Sequence, residues 1–448
     1  MPDAGLTAHE RYCCHCHCVW SAAFYSEKAA CGYFDLSWLS YMNPHRLTWG
    51  FAYSFPFAQL VAIVTLVSIL FSKEPKRIPM TGLTTLWILF LIWISITTVF
   101  SLSDYSIIQY EKVMKIQIVT FLTIMLINTK EKLNALIWVI VLSIGFYGIK
   151  GGIFTLKTLG NFRVWGPAGT FIEDNNELAL STVMIMPLFY YLYLQAHNVW
   201  IKRGIILSLL LMTVSVLGSY SRGSFLAIAV MGVYLWWKTP GKFISGIITV
   251  VLAVLVFSFM PQQWHDRMDT IVHYEEDGSA MGRIDAWKMS VNLANDRLTG
   301  AGLSAWSPVL YRMYSDNPAT WDSSRAAHSI YFSVLGEHGW IGLMLFVTIL
   351  ITAWWNARWI IRQSRGVEEL KWLADLGKVI QVSLLVYFVG GTFYSLAYFD
   401  LPWHIVSMLI IGRMLVKKQQ EDARKALSAT PAELPTGELR LGPNGQSR

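Results

Sequence analysis

Residues 133–154 read LNALIWVIVLSIGFYGIKGGIF, a stretch in which Lys150 is the only charged residue. A membrane-spanning helix needs about 20 apolar residues to cross a hydrocarbon core of about 30 Å. Runs of similar character recur from residue 50 onward, and they do not alternate polar and apolar residues as barrel strands do. Because backbone groups in lipid must form hydrogen bonds within their own segment, these runs are predicted to be α-helices.

The composition supports the same class of protein. Of 448 residues, 54% are apolar and only 15% are charged, against about 25% charged in soluble proteins. This excludes a disordered chain, a coiled coil and a simple soluble enzyme. We expect an all-α integral membrane protein with roughly 11 to 12 transmembrane helices. Eleven spans are predicted after residue 50, at 50–71, 83–101, 113–128, 133–154, 177–195, 203–220, 224–237, 242–260, 339–358, 377–397 and 401–416.

The basic residues indicate the orientation. Lys and Arg collect in every second short loop, as at Lys130, Lys202 and Arg362, and the positive-inside rule assigns these loops to the cytoplasm. The net charge of +7 is therefore attributed to membrane topology, and no nucleic-acid partner is expected. The other set of loops includes 155–176 and 261–338, which are predicted to lie outside the cytoplasm.

Five regions follow from this pattern. Residues 1–49 form an atypical segment rich in Cys and His, 50–260 and 339–416 carry the spans, 261–338 is a large external loop, and 417–448 is a polar cytoplasmic tail predicted to be disordered. The Cys13–Cys18 cluster resembles half of a zinc site, with only Cys31 nearby. A poorly ordered or altered N-terminus is the favoured interpretation, and no metal site is predicted.

Two arginine motifs fall on the predicted external side. Ser221-Arg222-Gly223 lies between two spans, where an arginine is costly without a partner or ligand, and its fork of donors suits pyrophosphate. Snorkelling to the interface is the alternative. In Gly282-Arg283-Ile284-Asp285-Ala286-Trp287, Arg283 and Trp287 share a face if the stretch is helical. A solvated surface helix would explain this second motif equally well.

Two further stretches supply a candidate base and a third cation. His328 stands where the external loop returns to the membrane, and a neutral histidine is a base near pH 7. Plain exposure to solvent is the alternative for His328. Arg163 begins a Gly- and Pro-containing turn, after which Glu173 to Asn176 have the composition of a helix cap. The sequence contains no nucleotide-binding or zinc-hydrolase motif, so no cofactor and no metal are predicted.

The order of these motifs resembles a known family. Many spans, Ser221-Arg222-Gly223, a large loop with Gly282-Arg283-x-x-x-Trp287, and then His328 resemble the O-antigen ligase and polymerase superfamily of bacterial envelope enzymes. Residues 40–46 and 171–180 resemble a narrower branch, the O-glycosylation ligases associated with the exosortase A system. The resemblance covers about residues 36–416, and residues 1–35 do not match it.

The resemblance implies a glycan transferase in the bacterial inner membrane, with its active site facing the periplasm. Such enzymes take a glycan from undecaprenyl pyrophosphate and pass it to a hydroxyl on a protein, a lipid or another glycan. By this resemblance Arg222 and Arg283 would bind the pyrophosphate, His328 would deprotonate the acceptor, and Arg163 and Trp287 would contact the substrate. The choice between ligase and polymerase stays open.

Two other functions remain as alternatives. A transporter or flippase of lipid-linked glycans would place charges near the middle of the bilayer and break helices in paired halves, which the sequence does not show. A non-catalytic scaffold of an export system is compatible with a helix bundle. It gives no reason for three charged motifs on one side of the membrane.

Overall fold

The computed structural model describes residues 29–48, 50–72, 76–243, 246–247, 258–271, 275 and 278–429. The Cys13–Cys18 cluster, His273 and most of the predicted span 242–260 lie outside these residues. The described residues contain helices and no strand: α1 (Ala29–Met42), α2 (Phe51–Ser54), α3 (Phe57–Phe71), α4 (Gly82–Val99), α5 (Ser106–Leu126), α6 (Lys130–Lys157), α7 (Asn175–Gln195), α8 (Val199–Gly218), α9 (Arg222–Lys238), α10 (Gln262–Asp269), α11 (Gly278–Asp296), α12 (Pro308–Tyr314), α13 (Ile330–Gln363), α14 (Lys371–Gly390) and α15 (Asp400–Ala429).

The all-α membrane class is confirmed. Six helices of the described chain, α4, α6, α7, α8, α13 and α14, are long and apolar enough to cross a membrane, and α3 is a shorter apolar helix. Other predicted spans are helical but shorter or more polar, as in α5, which carries Glu111 and Lys115. The tail predicted to be disordered from residue 417 is helical as far as Ala429.

Helix α7 lies at the centre of the bundle. It packs against α6, α8, α9 and α14, and nearly all of its residues from Leu178 to Leu192 are buried. A helix that is apolar on every side is expected in such a position. Asp174 caps this helix by accepting a hydrogen bond from the backbone N–H of Asn176, as the sequence predicts. The N-terminus of the most buried helix is thereby fixed in place.

Small residues bring α6 and α8 into close contact. A Cβ atom at Gly152 would lie 2.0 Å from the carbonyl oxygen of Leu211, and one at Gly148 would lie 2.9 Å from Met212. Only glycine permits this approach, which is the usual role of small residues spaced four apart in membrane helices. The Gly148-x-x-x-Gly152 pair therefore serves packing.

Helix α1 adds a buried element that was not predicted as a span. Tyr33 and Tyr41 are nearly inaccessible to solvent, and their hydroxyls contact the two ring nitrogens of His404 in α15 at 2.9 and 2.8 Å. Phe399 then contacts the rings of both Tyr41 and Phe171. The two stretches with the narrower resemblance, 40–46 and 171–180, therefore meet in the fold.

The two ends of the bundle differ in character. At one end, Lys130 lies over the Trp372 ring and Tyr191 donates a hydrogen bond to Asn134, so the start of α6 adjoins the start of α14 and the end of α7. Most of the Lys- and Arg-rich short loops lie at this end, called here the basic end. Helices α7, α9 and α13 begin at the opposite end, called here the site end.

Candidate active site

The turn between α8 and α9 presents Arg222 at the site end. Tyr220 has a left-handed backbone with φ of 59°, Ser221 caps α9, and Arg222 is its first residue. The Ser221 hydroxyl lies 2.6 Å from the hydroxyl of Tyr394. A Cβ atom at Gly223 would lie only 2.4 Å from that same tyrosine oxygen. The serine and the glycine of the Ser-Arg-Gly motif therefore each have a local reason to be present.

Neighbouring segments hold this turn from two sides. The Tyr220 hydroxyl donates to the carbonyl oxygen of Gly160 at 2.6 Å, which ties the turn to the loop between α6 and α7. The Asn175 side chain donates to the carbonyl oxygen of Ser219 at 2.6 Å, which ties it to the first turn of α7. A non-glycine residue with positive φ is costly and persists when its surroundings hold it. These contacts supply that support.

Four arginines surround one cavity, called here the arginine cavity. Arg163 comes from the loop between α6 and α7, Arg222 from α9, Arg267 from α10 and Arg283 from α11. Arg222 donates to the Thr270 hydroxyl at 2.6 Å, so the end of α10 lies against it. Guanidinium groups from four segments give a strongly positive site with several planar donor forks, which suits phosphate oxygens.

Helix termini add to the positive potential there. Asn175, Asn176 and Gly223, from the first turns of α7 and α9, line the same cavity. The N-terminus of a helix presents unpaired N–H groups and a partial positive charge to an anion. The cavity measures about 40 Å³, which holds a few waters, so a bound pyrophosphate would have to spread the flexible arginine side chains.

A second cavity adjoins the first through Arg283. This histidine cavity measures about 220 Å³ and is lined by Arg283, Arg325 and His328, among others. Arg325 donates to the carbonyl oxygen of Gly278 at 2.9 Å and lies across Gly282, where a Cβ atom would come within 2.3 Å of the guanidinium. The glycine of the Gly-Arg motif therefore leaves room for another arginine.

The backbone that carries His328 is held in an unusual conformation. His328 has a φ of 45°, in the left-handed region that histidine tolerates better than most residues. The Tyr311 hydroxyl donates to the carbonyl oxygen of Arg325 at 2.7 Å, and Trp287 Nε1 donates to that of Ala327 at 2.8 Å. Strained residues of this kind cluster at functional sites, where the neighbouring structure holds them in place.

Electrostatics favour the neutral form of His328. Burial lowers its pKa from 6.5, and the charges of Arg283 and Arg325 lower the pKa further, while Asp174 acts in the opposite direction. A neutral imidazole at neutral pH is the form that accepts a proton. The site end thus places a histidine whose neutral form is favoured next to a cavity lined by arginines.

A third cavity lies on the other side of the α7 N-terminus. This acidic cavity measures about 430 Å³, and its walls include Glu173, Asp174, Glu177, Trp165 and Phe171. Oxygen Oε2 of Glu177 is buried without a hydrogen-bond partner. Carboxylates accept hydrogen bonds from hydroxyl groups, and aromatic rings pack against the apolar faces of sugars. The cavity offers both chemistries.

The predicted site residues fall into two groups. Arg163, Arg222 and Arg283 line the arginine cavity, and Arg283 and His328 line the histidine cavity. Trp287 is different, because its indole donates to the backbone before His328 and its ring stacks on Phe332 at 4.8 Å. The structure gives Trp287 a positioning contact, and its contact with substrate stays a prediction.

Arg267, Arg325 and Tyr394 were not assigned to the site from the sequence. Arg267 is brought in because Trp264 of the same short helix donates to the carbonyl oxygen of Leu217 at 3.1 Å, which docks α10 against the end of α8. The spacing of Trp264, Arg267 and Met268 was a usable signal, since Trp264 and Met268 are buried on one face. Tyr394 is distant in sequence and had no such signal.

Two other histidines, His338 and His404, lie in the core. His338 is fully buried, with Nδ1 2.6 Å from the Thr97 hydroxyl. His404 is buried between Tyr33 and Tyr41. Neither lines the arginine, histidine or acidic cavity. Within the described chain, no group of three or more His, Cys, Asp or Glu residues is arranged to hold a metal ion.

Comparison with known families divides the chain into two matched parts. A model described as O-antigen ligase matches residues 207–347, which include Arg222, Arg283 and His328. A second model, for a family of unknown function, matches residues 27–198, which include Arg163 and the acidic side chains at the start of α7. No curated protein matches the chain. The arginine cavity combines residues from both matched parts.

Proposed function

We propose that the chain is a member of the O-antigen ligase superfamily, whose model matches residues 207–347, and that it transfers a glycan from undecaprenyl pyrophosphate to an acceptor hydroxyl. The observation that carries this proposal is the shared wall at Arg283, which lines both the arginine cavity and the histidine cavity. A leaving pyrophosphate and a proton acceptor would therefore lie side by side. A transfer of this kind needs both within reach of one sugar carbon.

The reaction uses only groups of this chain and its substrates. The acceptor oxygen forms a bond to the anomeric carbon of the donor sugar, while the bond from that carbon to the pyrophosphate oxygen breaks. His328 takes the hydroxyl proton. Undecaprenyl pyrophosphate leaves with the electron pair, and Arg222 and Arg283 stabilise its growing charge, with Arg163 and Arg267 as further contacts. The charge is met by arginines, so no metal is assigned a role.

The acidic cavity is assigned to sugar rings. Glu173, Asp174 and Glu177 would accept hydrogen bonds from sugar hydroxyls, and Trp165 would pack on a ring face. The acceptor is a hydroxyl of a protein, a lipid or another glycan, and the resemblance of residues 40–46 and 171–180 favours protein O-glycosylation or the attachment of an exopolysaccharide. The site end lies opposite the basic end, and by the positive-inside rule it faces the periplasm of a bacterial inner membrane.

The test is glycan transfer by the full chain in membranes with a labelled undecaprenyl-pyrophosphate glycan. We expect label to leave the lipid and enter a protein, lipid or polymer fraction, which identifies the acceptor class. Arg222→Gln and Arg283→Gln should each lower transfer roughly 100- to 1,000-fold, as removal of an oxyanion donor does. Arg365→Gln, an exposed arginine just beyond α13, is the matched control and should leave transfer unchanged.

Two comparisons separate this function from its alternatives. A monophosphate donor should be transferred far more slowly, because one of the two phosphates held by the arginines is missing. Excess chelator should leave transfer unchanged. Equal use of both donors would refute the arginine clamp. Movement of intact donor across the membrane without release of its glycan would identify a flippase, and neither transfer nor movement at matched expression would favour a scaffold.

A further inference from the structure

A separate cavity of about 480 Å³ lies at the basic end, between α13 and α15. Three arginines line it, Arg358 and Arg362 from the last turns of α13 and Arg413 from α15. No carboxylate is among its lining residues, and none of these arginines forms an ion pair within the described chain. This basic-end cavity therefore gathers positive charge without a counter-ion from the described residues.

Arg413 stands in an unfavourable place for a charge. It falls inside the apolar run 401–416 and is half-buried. Its guanidinium donates to the amide oxygen of Asn356 at 2.5 Å and lies 4.6 Å from the centre of the Trp359 ring. Both partners are neutral, so they orient the guanidinium and leave its charge uncompensated. An ionisable group within a membrane helix is costly, and it usually marks a ligand or a functional partner.

The surroundings of the cavity match the level of lipid headgroups. Trp355 and Trp359 stand at its edge, and Arg358 lies 5.3 Å from the centre of the Trp355 ring. Tryptophans concentrate where the hydrocarbon meets the polar region of a bilayer. On α13, Met344, Ile351 and Trp355 are 59%, 51% and 56% exposed, and they form an apolar stripe that leads from the membrane interior to the cavity.

We propose that the basic-end cavity binds the phosphate headgroup of one anionic phospholipid. The three arginines would hold the phosphate oxygens, and an acyl chain would lie along Ile351 and Met344. Basic pockets between membrane helices at this level are suited to such headgroups. The cavity is at the opposite end from the arginine and histidine cavities, so the site stands independently of the proposed transferase function.

The experiment measures lipid retention by the full-length protein. The chain is placed in bilayer discs of phosphatidylcholine with or without phosphatidylglycerol, extracted with mild detergent, and its bound lipid is counted by native mass spectrometry. The wild type should retain phosphatidylglycerol in preference to phosphatidylcholine. Arg362→Gln and Arg413→Gln should each weaken retention roughly five- to tenfold, the loss expected for one arginine contact to a phosphate.

Three comparisons make the result decisive. Arg365→Gln removes an equal charge beside the cavity and should not change retention of phosphatidylglycerol. If it lowered retention as much as Arg362→Gln does, the preference would come from general surface charge, and the proposed site would be refuted. Equal retention of both lipids by the wild type would also overturn it. Free glycerol phosphate that displaces the lipid at equal concentration would identify a soluble phosphate as the ligand. Arg362 is exposed, so its variant keeps the test valid if Arg413→Gln does not fold.

Discussion

Both ends of this helix bundle gather arginines, but they do so with different neighbours. At the site end, Arg222 and Arg283 stand beside His328, and carboxylates such as Asp174 lie close by. At the basic end, Arg358 and Arg413 stand beside tryptophans and a neutral amide. Both cavities have the positive charge that an anion requires. Among the residues that line them, only the site end has a histidine, His328, which the proposed reaction uses as its base.

The backbone that carries these side chains also differs between the two ends of the bundle. The basic-end arginines project from regular turns of α13 and α15. Arg222 instead comes two residues after Tyr220, which has a left-handed backbone, and His328 has a left-handed backbone itself. Hydrogen bonds from several segments fix the backbone at both positions. Binding a mobile lipid headgroup needs charge at the right depth, whereas group transfer needs precise placement of reacting atoms. The comparison therefore agrees with the two proposals, which place chemistry at one end and lipid binding at the other.

The largest expected effect is the loss of the proton acceptor. His328→Asn should lower transfer roughly 100- to 10,000-fold, the usual contribution of a general base. Asparagine tolerates the left-handed backbone at this position, so the fold should persist. Transfer from the labelled donor is the measurement, with protein quantified in the same membranes. His197 is an exposed histidine in the loop between α7 and α8, and His197→Asn is the control that should leave transfer unchanged. Undiminished transfer by His328→Asn would show that another group is the base.

A smaller loss is expected when the α8–α9 turn is crowded. Gly223→Ala places a methyl group 2.4 Å from the Tyr394 hydroxyl and 2.9 Å from Phe393. Overpacking of this kind costs about 1–3 kcal/mol, and here it would push Arg222 away from the arginine cavity. We expect a lower thermal midpoint and roughly tenfold slower transfer, in line with one displaced contact. Gly232→Ala in the same helix, where no described atom lies within 4 Å of the added Cβ, should lower neither, since alanine favours a helix more than glycine does.

These features show what the sequence predicts and what it does not. The helical class and the cap at Asp174 follow from local patterns, because each depends on a few neighbouring residues. Arg267 and Tyr394 reach the site through long-range packing, by the docking of Trp264 under α8 and by the return of the chain after α14. Local spacing gave a signal for Arg267, through the buried face formed by Trp264 and Met268, but it gave none for Tyr394.

The pH dependence should reveal the charge next to His328. Burial, then Arg283, lowers the pKa of His328 below 6.5 in the free protein. The base is active when unprotonated, so kcat/KM should fall with decreasing pH only below 6.5. A bound pyrophosphate offsets the arginine charge and raises the pKa of His328. The acidic fall in kcat should therefore occur at a higher pH than the acidic fall in kcat/KM. Arg283→Gln should move the acidic fall in kcat/KM to higher pH. If kcat and kcat/KM of the wild type fell at the same pH, the result would contradict a pyrophosphate bound by Arg283 next to His328.

The smallest effect concerns Trp287, for which the resemblance and the geometry give different roles. Trp287→Phe keeps the ring that stacks on Phe332 and removes the hydrogen bond to the carbonyl oxygen of Ala327. If Trp287 only positions His328, the loss of about 1 kcal/mol from one hydrogen bond should lower kcat a few-fold and leave KM unchanged. If the indole contacts the donor, KM should rise instead. Separate measurement of kcat and KM therefore decides between the two roles. A fall in kcat alone would show that the backbone at His328 is held in place by Trp287, a residue that does not contact the substrate.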